Sequence, residues 1–100
     1  MGIERLQQIE RLKDAVPEHY FHVCNGTIIR GILDLEQCLL NMSDETFQYH
    51  VNENKNDFSK WVRETLHEEA FADELLKISS KSEAQLAVVR YIIKIIAESI

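Results

Sequence analysis

The last fifteen residues of the chain constrain the fold most. From Leu86 to Ile100 it reads L-A-V-V-R-Y-I-I-K-I-I-A-E-S-I. With Gln85 just ahead, the only polar residues here are Arg90, Lys94, Glu98 and Ser99, and they form one thin stripe at about helical-turn spacing. A helix apolar on most of its sides is either the central strut of a bundle or half of a contact between molecules. In 100 residues few helices can be enclosed that fully. The stretch therefore predicts a homodimer, with Val88, Val89, Ile92, Ile93, Ile96 and Ile100 at its interface. Its start is marked by two capping-box spacings, Ser80 with Glu83 and Ser82 with Gln85.

The remainder also reads as helices. Ile3, Leu6, Ile9, Leu12 and Val16 draw one apolar stripe over residues 3–16, and Pro17 stops it. Leu35, Cys38, Leu39 and Met42 mark a second helix, with Asp34 and Gln37 spaced as a capping box. Ser43 looks like the N-cap of a short third helix that places Phe47, His50 and Val51 on one face. The polar run Asn52 to Asn56 ends it, and Asn56 or Asp57 caps a fourth helix carrying Phe58, Trp61, Val62, Thr65 and Leu66. A bend or break is expected at residues 67–69, before Phe71, Leu75 and Ile78 resume a helical pattern. The one strand signal is Tyr20 to Ile29, where aromatic and β-branched residues flank Asn25-Gly26, a pair suited to a tight type I′ turn. One proline and three glycines fit this picture. The expected fold is mainly α: a single domain over residues 1–100, a compact bundle of five or six helices with one short β-hairpin near residues 20–30.

Charge and cysteine usage exclude several classes of function. The net charge is −6, and residues 43–78 hold nine acidic against four basic side chains. Such a surface repels phosphate backbones, so no nucleic-acid partner is expected. The longest apolar run is interrupted by Arg90 and Lys94 and is too short for a bilayer, so no membrane partner is expected either. The opening M-G-I-E-R-L and the closing A-E-S-I carry no lipidation motif. Without a signal peptide in the first thirty residues, Cys24 and Cys38 read as reduced, buried thiols of a cytoplasmic protein, with a disulfide between them left open.

Chemistry, if present, centres on His50 to Trp61. A carboxylate beside an imidazole fixes its tautomer and raises its basicity, so His50 with Asp57 could form a general base or a metal site. Asn52, Asn56 and Trp61 could complete a ligand pocket, of the kind a hydrolase uses. The competing reading is structural: asparagine and aspartate cap local amides, and a histidine on an apolar helix face often bonds a buried carbonyl. Phe58 and Trp61 at helical spacing read better as core, whereas Tyr49 lies off the apolar face and is expected to be exposed. A weaker metal reading joins His19, His22 and Cys24. No catalytic set is assembled, and no phosphate-binding, dinucleotide or zinc-protease motif occurs. No cofactor is expected.

The residues Asn25-Gly26-Thr27, His50-Val51-Asn52 and Asn56-Asp57-Phe58-x-x-Trp61 together resemble a small prokaryotic helical domain family of unknown function. The resemblance covers about residues 20–78 and leaves the helices at 3–16 and 82–99 as flanking additions. His67 stands where that pattern leads one to expect glycine. The resemblance implies an intact domain and an interaction or regulatory module. The expected function is thus a non-catalytic module that binds protein and pairs with itself through its last helix. The alternative is the His50–Asp57 pocket.

Overall fold

The computed structural model describes residues 10–99. The stripe Ile3, Leu6 and Ile9 and the interface candidate Ile100 lie outside the described residues. The described chain opens on helical Glu10, whose carbonyl accepts from Lys13 N–H. The first apolar stripe does not continue as helix to Val16, which is exposed. Pro17 instead starts a short 3-10 turn, Pro17–His19, where its missing N–H costs nothing.

Two hairpins and five α-helices follow. Strands β1 (Phe21–His22) and β2 (Ile28–Ile29) pair antiparallel, and α1 (Ile32–Asn41) and α2 (Asp44–His50) come next. Strands β3 (Val51–Asn52) and β4 (Lys55–Asn56) form a second antiparallel hairpin. Then come α3 (Asp57–Trp61), continued by a π-helical turn over Val62–Leu66, α4 (Glu69–Leu76) and α5 (Lys81–Glu98). The mainly α fold with a small hairpin stands; the second hairpin is an addition to it.

Local chemistry explains most boundaries. Ser43 caps α2 by accepting from Thr46 N–H, Asn56 caps α3 by accepting from Ser59 N–H, and Ser80 caps α5 by accepting from Glu83 N–H. The capping box expected at Asp34 and Gln37 does not form, because the N-cap is Gly31, which has no side chain to offer. Asp34 accepts instead from the backbone and guanidinium of Arg30. Gly31 is needed for another reason: a Cβ there would lie 2.9 Å from Asp14 Oδ1 and 3.1 Å from Asp14 Cα.

The first hairpin is not turned by a type I′ pair. Gly26 has φ 92°, but Asn25 is not in the positive-φ region, and Gly26 N–H bonds the Val23 carbonyl. The loop thus has three residues, Cys24 to Gly26, with the glycine alone supplying the left-handed conformation. The break expected at 67–69 is present. The π-helical turn ends on His67, at φ 57° the one non-glycine described residue with positive φ.

The core joins all these elements. Val23, Ile29, Leu35, Leu39, Phe47, Val51, Phe58, Val62, Phe71 and Val88 are buried in one cluster. Ser59 Oγ donates to the Ala72 carbonyl at 2.7 Å and Asn56 Nδ2 to the Leu75 carbonyl at 3.0 Å, fastening α3 to α4. Helix α1 packs along α5. Lys81 Nζ reaches the Leu39 carbonyl and Gln85 Nε2 reaches Glu36 Oε2, so numbers rise on one helix as they fall on the other. The pair is antiparallel.

Candidate functional site

His50 ends α2 and Asp57 begins α3, and the second hairpin folds the two together. Asn52 does the turning. Its Nδ2 donates to the Gln48 carbonyl at the end of α2, and its Oδ1 accepts from Asn54 N–H, an Asx turn that reverses the chain without a glycine. The outcome is a contact of 2.9 Å between His50 Nδ1 and Asp57 Oδ2. On the far edge of the ring, His50 Nε2 lies 3.0 Å from the main-chain nitrogen of Cys24. An amide N–H can only donate, so Nε2 is the acceptor and Nδ1 carries the proton given to Asp57. The ring is 4 % exposed and meets Phe21, Tyr49 and Phe58 at centroid distances of 5.1, 5.0 and 5.3 Å.

Asp57 Oδ2 also accepts from Lys55 Nζ at 2.9 Å. Burial alone would raise the Asp57 carboxyl. The hydrogen bonds from His50 and Lys55, with the lysine charge, outweigh burial and hold it below the usual carboxylate range. Lys55 in turn lies over the Tyr49 ring, which is exposed as expected.

Other sequence-level candidates find internal partners. Asn52 and Asn56 spend their amides on helix ends. Trp61 Nε1 donates to the His19 carbonyl. Asp57 and Trp61 do line an open cavity of about 220 Å³ with Phe21, Lys60, Glu64 and Thr65, but His50 does not reach it. His19, His22 and Cys24 have exposed side chains, and among the described residues no three His, Cys, Asp or Glu groups gather to hold a metal. Cys24 is exposed rather than buried, because it sits on the outer face of the hairpin opposite Phe21 and Val23. Cys38 is half-buried, and burial, then the Asp34 charge, pushes its thiol up. The two cysteines are unpaired.

The last helix is divided more sharply than its composition suggests. Ala84, Ala87, Val88 and Ile95 are buried, with Tyr91 and Ile92 packed on the core. Val88 is fully enclosed, so it is not available to a second molecule. On the opposite side Leu86, Ile93 and Ile96 are 44 %, 59 % and 48 % exposed, and half-buried Val89 lies between them. These four follow one another at steps of three, four and three, a continuous seam on a helix. Helix α1 adds Leu33 and Leu40, both exposed and seven apart, with Glu36 between them on the same stripe. Because Glu36 bonds Gln85, the two apolar rows border one seam between the helices. Leu33 and Leu40 were not legible as surface residues, since only the packing of α1 shows which of its sides is outward.

No curated protein and no solved structure matches this chain. The sequence profile of the family of unknown function DUF5752 matches residues 42–100. The match takes in His50-Val51-Asn52 and Asn56-Asp57-Phe58-x-x-Trp61 but leaves out Asn25-Gly26-Thr27. It also includes the last helix, which sequence motifs alone place outside the shared region. With more than half its length matched, from the His50–Asp57 contact through the outward row of α5, the chain belongs to DUF5752, a family of unknown function.

Proposed function

We propose that this domain is a non-catalytic interaction module whose partner is a second copy of itself, bound through the outward face of α5. The observation that carries the reading is the exposed row Leu86, Val89, Ile93 and Ile96, on the side of α5 opposite its core-facing row. A two-fold interface must match its own reversed image. The steps of three, four and three read the same in both directions, so an antiparallel second α5 sets Leu86 against Ile96 and Val89 against Ile93. Leu33 and Leu40 of α1 widen the patch. Such an apolar surface on a chain of net charge −6 favours pairing by burial over pairing by charge. Unpaired cysteines, one of them exposed, suit a reducing, cytoplasmic setting.

A pocket at His50 and Asp57 is the weaker reading, because both ring nitrogens already have partners within the domain. Sedimentation of the wild type and of the double variant Ile93→Glu/Ile96→Glu tests the proposal. A dimer that becomes a folded monomer of unchanged helicity in the variant is expected. A wild type that stays monomeric at the highest attainable concentration overturns it.

A further inference from the structure

We infer that His50 is a proton-operated latch that fastens the loop of the first hairpin. The ring is held from both sides: its Nδ1–H donates to Asp57 Oδ2 at 2.9 Å, and its Nε2 accepts from the Cys24 amide N–H at 3.0 Å. These two bonds respond differently to acid. A protonated imidazole has two N–H donors and no acceptor. Asp57 accepts from Nδ1–H in either state. Nε2–H would instead point at the N–H of Cys24, donor against donor, so charging the ring must break the bond to the hairpin.

Two charged groups face the ring on its Nδ1 side: the Asp57 carboxylate, which accepts from Nδ1, and the Lys55 ammonium, 2.9 Å from the same Oδ2. The Tyr49 phenol ring meets His50 edge-on, and the Cys24 thiol belongs to the residue that is released. Phe21 and Phe58 complete the enclosure with apolar faces. What is freed is the Cys24 amide in the exposed loop from Cys24 to Gly26, while Val23 N–H on the Thr27 carbonyl and Gly26 N–H on the Val23 carbonyl keep the hairpin turned. That loop also walls a cavity of about 140 Å³ lined by Val23, Asn25, Thr27, Cys38, Asn41 and Met42. A loosened loop would thus shift one wall, at Asn25, of an uncharged cavity that the half-buried Cys38 also lines.

The test follows the Cys24 amide by 1H–15N NMR and hydrogen exchange between about pH 8 and 5, the range in which imidazoles change charge, in wild type and in His50→Gln. Glutamine can accept from Cys24 through its oxygen and donate to Asp57 through its nitrogen, but it does not titrate. In wild type the Cys24 protection factor is expected to fall at least about tenfold in step with the His50 ring signal. In His50→Gln that step should be absent. A ring that takes up a proton with Cys24 unchanged, or a Cys24 step that persists in His50→Gln, overturns the inference. So does a His50 ring that stays neutral until the domain unfolds. The wild-type titration decides by itself should the variant not fold.

Discussion

The indole N–H of Trp61 donates to the main-chain carbonyl of His19 at 2.7 Å, tying α3 to the 3-10 turn forty-two residues earlier. The ring is 7 % exposed and packs edge-on against Phe21 at 6.0 Å. Trp61→Phe removes the bond, leaves the His19 carbonyl without that donor and opens a small void. Urea denaturation should show a loss of about 1.5–3 kcal/mol. A loss under about 0.5 kcal/mol, the scale of an ordinary surface change, would mean that the bond does not hold the turn.

The two faces of α5 should answer differently to the same truncation. Val88 is fully buried, so Val88→Ala costs about 2 kcal/mol through lost burial and a residual cavity. Ile93 is 59 % exposed. At concentrations where only monomer is present, Ile93→Ala should change stability by no more than about 0.5 kcal/mol. Equal losses at both sites would contradict the division of the helix.

His67 occupies left-handed space at φ 57° with an exposed side chain. Such a conformation costs an L-residue about 1–2 kcal/mol, and glycine escapes that cost at some expense in chain entropy. His67→Gly is therefore expected to stabilise the domain by about 0.5–1 kcal/mol, and His67→Val to destabilise it. Thermal melts of the two variants check the opposite signs.

Tyr91 stacks on Phe71 at 4.2 Å, donates its hydroxyl proton to Glu68 and accepts from Arg11. Burial, then the hydrogen bond and charge of Glu68, push its phenol up to about 12, with Arg11 pulling the other way. An unfolded tyrosine ionises near 10. Between about pH 10 and 12 the folded protein therefore keeps a proton that the unfolded chain has lost, and stability falls as pH rises through that window. Comparing Tyr91→Phe with wild type across pH 9–12 should show a shallower decline in the variant, since phenylalanine has no proton to lose.

Sequence and tertiary structure contributed different things. Most helices were legible in the sequence, because caps and apolar spacing act within a turn or two of chain: Ser43 caps as its position predicts, Asn56 and Ser80 are each one of two caps that the spacing allows, and the break near His67 is where periodicity fails. The sequence also offered His50 and Asp57 as a pair, but left open whether the ring faces a pocket or the core. The second hairpin was hidden in the polar run Asn52 to Asn56, since an Asx turn uses the same residues that simply end a helix. The role of His50 emerges from packing alone, because the group that completes it is the Cys24 amide, a backbone atom twenty-six residues away with no side-chain signature. The same holds for α5. Its composition announced a helix apolar on nearly every side, but which apolar row is enclosed and which is left for a partner depends on where α1 lies against it. Val88 and Ile93 are both branched aliphatic residues of one helix, and only packing sends one to the core and the other to the surface.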